Sequence, residues 1–189
     1  MPFTDRRAAI FAVLALVGLG GCVAEAPAGQ APVAGEQAAA AHDSVVYVRE
    51  AMQEQINPAI FAIWDIGNNA MSDDGGIDPA QMDAAKWSTL ESAAADLASS
   101  SREMAAGTTI RAARDDNMDT MEGEVTMAAV QGFIDADPDG FRAFSMAQAQ
   151  HSDRLVAAAQ AQDAAAAGDL VAGLDAVCEA CHARYWYPE

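Results

Sequence analysis

From His42 onward, apolar residues recur at spacings of three and four in four separate stretches, and no run alternates apolar with polar. A helix repeats every 3.6 residues and a strand every two, so this pattern points to helices and leaves little room for a sheet. The first stretch carries Val45, Val48, Met52, Ile56, Ala59, Ile60 and Ile63, with Asp43 or Ser44 as its cap and a stop between Asn68-Asn69 and Gly75-Gly76. Pro58 lies inside it and cannot donate to the carbonyl of residue 54, which predicts a kink. The second opens on Asp78-Pro79 with Gln81 at capping-box spacing, carries Met82, Trp87, Leu90, Ala94, Leu97 and Met104, and stops at Gly107. The third runs from Asp137-Pro138 to Gly168 with Phe141, Phe144, Gln148, His151, Leu155 and Ala158 on one side. Asp169 then caps a last helix whose stripe is Leu170, Leu174, Val177, Cys181 and Tyr185. Residues 107–136 read as a solvated connection with a short helix from Val125 to Ile134. Four such helices with short turns predict an all-α fold, an antiparallel four-helix bundle.

Composition narrows the function. With 28 Asp+Glu against 10 Lys+Arg, the net charge is −18, which repels phosphate backbones and excludes nucleic-acid binding. Any long-range electrostatic partner must present a basic patch. A hydrophobic fraction of 52% is too high for a disordered chain.

The N-terminus reads as an export device. Arg6 and Arg7 precede the uncharged apolar run Ala8–Gly21, which is shorter than the about 20 residues a membrane-spanning helix needs. The run closes in Leu19-Gly20-Gly21-Cys22, which resembles a bacterial lipoprotein cleavage box. That resemblance implies cleavage before Cys22 and lipidation of its thiol; an ordinary signal followed by an unrelated cysteine is the other reading. Residues 23–41 are Ala, Pro and Gly-rich and suit a tether. The expected organisation is therefore a signal over 1–21, a lipidated cysteine with tether over 22–41, and a folded domain over 42–189. The expected location is periplasmic, anchored to a bacterial membrane. Val23 replaces the Asp that retains lipoproteins at an inner membrane, which favours the outer one.

Chemistry concentrates at Cys178-Glu179-Ala180-Cys181-His182. On a helix, positions i, i+3 and i+4 share a face, so two thiols can reach the two vinyl groups of a haem while the imidazole turns to its iron. The spacing reads as a c-type haem attachment site, with His182 as proximal ligand. A disulfide strains mid-helix geometry, a thioredoxin-like pair belongs in a βαβ setting, and zinc wants a further Cys/His pair that the sequence lacks.

The stretch Ala164–Tyr185, with its Gly168-Asp169-Leu170 turn and attachment motif near the C-terminus, resembles the end of class II c-type cytochromes, the cytochrome c′ group. The phrase Tyr47-Val48-Arg49-Glu50-Ala51-Met52 is similar to that family's first helix. The resemblance covers residues 42–187 and implies a four-helix bundle with one covalently bound haem c near the C-terminus, and homodimers are common in the family. The family usually places a basic residue four positions after the ligating histidine; Trp186 stands there in this chain. It also covers the distal face of the haem from the first helix, often with Leu and sometimes with Met. Met52 falls near that point, either binding iron or packing above the ring, with Met71, Met146, His151 or an open position as alternatives. Arg49 would meet a haem propionate or stand as a solvated charge; Trp87, Phe141 and Phe144 would pack around the porphyrin. The expected function is non-enzymatic one-electron transfer to a basic redox partner. The alternative is a five-coordinate haem that binds a small gas such as nitric oxide.

Overall fold

The first helix starts at Val48, three residues later than a Ser44 cap would place it. The computed structural model describes residues 44–73 and 75–187, which fall in one unit spanning Ala41–Glu189. Val45–Tyr47 forms a strand (β1) that pairs in parallel with Thr109–Arg111 (β2), Val46 standing opposite Ile110. Ser44 caps nothing helical: its N–H donates to Thr108 Oγ1 at 3.0 Å and its carbonyl accepts from Thr108 N–H at 3.0 Å. Two valines and a tyrosine favour the extended backbone once an edge is offered. Val45, assigned to the buried stripe, is 47% exposed.

Helix α1 (Val48–Ala51) runs into a π-helical turn over Met52–Ile56 and on into α2 (Asn57–Asn69). The expected break at Pro58 takes this form: Asn57 N–H donates to the Met52 carbonyl, five residues back. A proline inside an unbroken α-helix costs about 3 kcal/mol, and a widened turn just before it removes the demand for its missing donor. Helix α3 (Ala84–Ala106) is capped by Asp83, which accepts from Lys86 N–H at 2.8 Å. Asp78 caps the 3₁₀ turn Pro79–Gln81 instead, accepting from Ala80 N–H at 2.9 Å. Gly107 ends α3 as expected; a Cβ there would meet Val46 Cγ2 at 2.7 Å, so it also lets β1 pass.

The connection over 107–136 holds β2, a 3₁₀ turn at Asp115–Asn117 and α4 (Met127–Ala136), capped by Thr126. Helix α5 (Pro138–Ala161) starts on Asp137 as the sequence predicts, but it ends seven residues before Gly168. Gln162 takes a left-handed conformation (φ 52°), and Asp163 then caps α6 (Ala164–Tyr185) through Ala166 N–H at 3.0 Å. The expected turn at Gly168-Asp169-Leu170 is therefore corrected to helix interior. A Cβ on Gly168 would lie 2.8 Å from Ile77 N and 3.0 Å from Gly76 Cα, so this glycine serves close packing and not helix termination.

The described residues are mostly helical, with α3 packed on α2 and α5, and α6 packed on α5. Gln160 meets Glu91 at 2.9 Å while Gln148 meets Ser101 at 3.1 Å, so α5 descends as α3 climbs. Asp137 at the start of α5 meets Arg184 and Tyr185 at the end of α6. Gly67 near the end of α2 faces Val171 near the start of α6. Ile56, Ile63, Leu90, Leu97, Leu155 and Leu174 are all fully buried between them. No helix among the described residues is long and apolar enough to cross a membrane.

Candidate functional site

Helix α6 carries Cys178, Cys181 and His182 near its C-terminal end, where helical spacing puts all three on one face. All three line a single cavity of about 220 Å³. The facing wall comes from the π-turn and α2, with Met52, Ile56 and Ile60; α5 adds Phe141, Phe144 and Gln148, and α3 adds Met104. Tyr185 holds the corner. Its ring meets Phe141 edge-on at 5.5 Å, and its hydroxyl donates to the Asp137 carbonyl at 2.9 Å, tying the end of α6 to the start of α5.

Both thiols are free and half-buried. Burial pushes the Cys178 thiol up to about 11, with the Asp175 carboxylate adding to the rise. Burial likewise pushes Cys181 up to about 11, with Cys178 beside it. Both sulfurs are therefore protonated at neutral pH in the ligand-free chain, and neither is an activated nucleophile there. Burial lowers the His182 pKa, against an opposing pull from Glu179, which keeps the ring neutral with a free lone pair at neutral pH. Its ring contacts are aromatic, Tyr187 at 6.0 Å and Trp186 at 6.5 Å between centroids. Trp186, standing where the resembled family has a base, thus packs beside the imidazole.

Gln148 is a site residue that the sequence showed only as one polar member of an apolar stripe. It is buried, its Nε2 lies 3.7 Å from Cys178 Sγ, and its Oε1 accepts from Ser101 Oγ at 3.1 Å. A buried amide with partners on both ends fixes the side chain that donates toward the sulfur. Met104, buried at the same cavity, is a second thioether that sequence reading placed simply in the core.

The other candidates separate. Of Met52, Met71, Met146 and His151, Met52 alone lines the cavity with His182 among the described residues. Met71 is 53% exposed and Met146 37%. His151 is buried with both ring nitrogens engaged: Nε2 donates to the Leu170 carbonyl at 2.8 Å, and Nδ1 accepts from Arg154 at 3.3 Å. A carbonyl can only accept, so Nε2 carries a proton, and with both nitrogens engaged the ring is a core histidine. Arg49 is not brought to the cavity. Its guanidinium donates to the carbonyls of Asn117 (2.9 Å) and Asp119 (2.6 Å), anchoring the start of the first helix to that loop. Phe141 and Phe144 do face the cavity, whereas Trp87 is buried in the core away from its lining. Cys22 lies outside the described residues, as do the other residues assigned to the signal and tether.

No three His, Cys, Asp or Glu side chains among the described residues converge as a bare metal-ion site needs. What the arrangement offers is two free thiols, one neutral imidazole and two thioethers around a cavity that Asp175 and Glu179 also line. Comparison with protein-family models, with curated proteins and with solved structures finds no match to this chain.

Proposed function

We propose that this chain is a mono-haem c-type cytochrome, an antiparallel four-helix bundle that carries single electrons in the bacterial periplasm and is held to a membrane through lipidated Cys22. The observation that carries the reading is the shared cavity: Cys178, Cys181 and His182 on α6 face the same space as Met52 on the π-turn. The lining suits a flat apolar ring. At about 220 Å³ the cavity encloses less than a whole macrocycle, but its apolar wall continues outward over Phe61, which is 62% exposed, and Trp64, 6.1 Å from it. A large exposed aromatic at a cavity mouth is surface that a bound ring would cover.

Bound there, haem c would supply a one-electron iron centre. The residues of the chain supply the rest. Cys178 and Cys181 would hold the ring covalently, and His182 would ligate the iron through its unprotonated nitrogen. Gln148 would hold its amide against the Cys178 sulfur, while Phe141 and Phe144 keep water from the buried edge. No substrate bond is made or broken, so the chain acts as a carrier and not as an enzyme.

The test is the Cys178→Ala/Cys181→Ala variant, exported from its own signal in a haem-attaching host. Wild-type protein should keep a haem stain on a denaturing gel and the variant should lose it; a variant that keeps the stain overturns the assignment. Spin state then separates the two haem chemistries. A low-spin wild type that turns high-spin in Met52→Leu supports electron carriage, and a wild type already high-spin moves the function to capture of a small gas such as nitric oxide.

A further inference from the structure

The π-turn over Met52–Ile56 does more than accommodate a proline. We propose that Pro58 is a positioning residue that sets the helical register aiming Met52 into the cavity; this rests on the haem reading above. Seen down α2, Asn57, Ile60, Phe61 and Trp64 mark the arc that faces the cavity. Continued backward at about 100° per residue, an unbroken α-helix would place Met52 roughly 130° from the centre of that arc, turned toward α3, and would put Gln53 between Ile60 and Trp64. The wider π-turn advances by roughly 80° per residue, and over four residues this swings Met52 back to within roughly 50° of the centre. The side chains agree: Met52 lines the cavity, while Gln53 is exposed and accepts from Asn117 Nδ2 at 3.0 Å on the outside.

Two anchors hold this register. Pro58 has no N–H for the carbonyl of Glu54, so the regular ladder cannot close there, and Asn57 N–H goes to Met52 instead. At the other end, Arg49 grips the Asn117 and Asp119 carbonyls, and its own N–H donates to the Ala112 carbonyl at 2.9 Å. Buried Glu50 accepts from Arg114 N–H at 3.0 Å and Asn117 Nδ2 at 3.1 Å. Between these anchors the choice of Met52 or Gln53 at the cavity is a choice of turn geometry.

The experiment uses the full haem-bearing protein and carbon monoxide as probe of the iron's distal side, with four forms compared: wild type, Pro58→Ala, Met52→Ala and the double variant. If Pro58 aims Met52, Pro58→Ala raises carbon monoxide affinity roughly tenfold, a size expected for coupled neighbours, and changes nothing further once Met52 is Ala. Adding Gln53→Met to Pro58→Ala should return the affinity toward wild type, because the new thioether then occupies the vacated arc; a proline with a merely structural role would not be rescued this way. Wild-type affinity in Pro58→Ala overturns the proposal, as does an equal rise in the Met52→Ala background or a failed rescue. A haem stain on a denaturing gel of the wild type reports separately on the haem reading, so the two failures are distinct.

Discussion

Two half-buried thiols three residues apart can be metal ligands, a redox pair or attachment points, and protonation enters each of these uses. Metal binding and disulfide exchange run through the thiolate. Here burial holds both Cys178 and Cys181 at about 11, and each also feels a neighbour that resists a second negative charge, Asp175 for the first and Cys178 for the second. The folded chain therefore keeps neutral thiols well past the ordinary value of 9.0. The sign follows directly. Between pH 9 and 11 an unfolded chain would release these protons while the folded one retains them, so stability from this pair is present below 9.0 and lost as pH rises through 11. Chain produced without the signal in a reducing cytoplasm, where the thiols stay free, should alkylate slowly at pH 8 and accelerate up to about pH 11. A rate that levels near pH 9 would show that the sulfurs are solvated and not held in the burial described for them.

At the scale of elements, what could be read in the sequence was the periodic part. The stripes Leu90-Ala94-Leu97 and Phe141-Leu155 are buried as their spacing required, and the capping residues Asp137 and Gly107 bound the helices they were expected to bound. What could not be read depended on partners distant in the chain. Val45–Tyr47 is extended because Thr109–Arg111 lies beside it, 64 residues on, which no local pattern announces. The α5–α6 turn rests on a left-handed Gln162, a conformation for which glycine or asparagine is the usual signal. Gly168 reads as that signal because helix termination and close packing leave the same mark in sequence. An open helix-interior position and a tightly packed one predict opposite signs for Gly168→Ala. An ordinary helix-interior glycine gains about 1 kcal/mol on becoming alanine. Here the added methyl meets the backbone of Gly76 and Ile77, neither of which can swing aside, and overpacking should cost about 1–3 kcal/mol, read as a lower midpoint in urea at unchanged slope. At the site, the common face of Cys178, Cys181 and His182 was legible because helical spacing alone sets it. Arg49 was not, because its real partners are carbonyls on a loop that the sequence shows only as polar.

Across the whole molecule the dominant quantity is charge. The net value is −18, and four of the arginines are already spent in ion pairs, with Asp153, Glu54, Asp139 and Asp137. Exposed pairs of this kind contribute little to stability, roughly 0–1 kcal/mol each, but they remove positive charge from the field that an approaching molecule meets. Asp175 and Glu179 stand in the lining of the cavity itself, so on the proposed haem reading the negative field is present where an electron would leave or enter. An acidic surface of this size attracts cations over distances set by the Debye length, about 30 Å at 0.01 M salt and about 10 Å at 0.1 M. Electron exchange with a small cationic oxidant should therefore slow as salt is raised across that range, by roughly tenfold, within the span of electrostatic steering. Exchange with an anionic oxidant of similar potential should speed up over the same range. Stopped-flow rates with the two reagents, measured on the haem-bearing protein, separate field from chemistry because only the sign of the reagent changes. Two parallel salt profiles would mean that the exchange route lies away from Asp175 and Glu179, and a basic partner would then have no electrostatic reason to dock at this cavity.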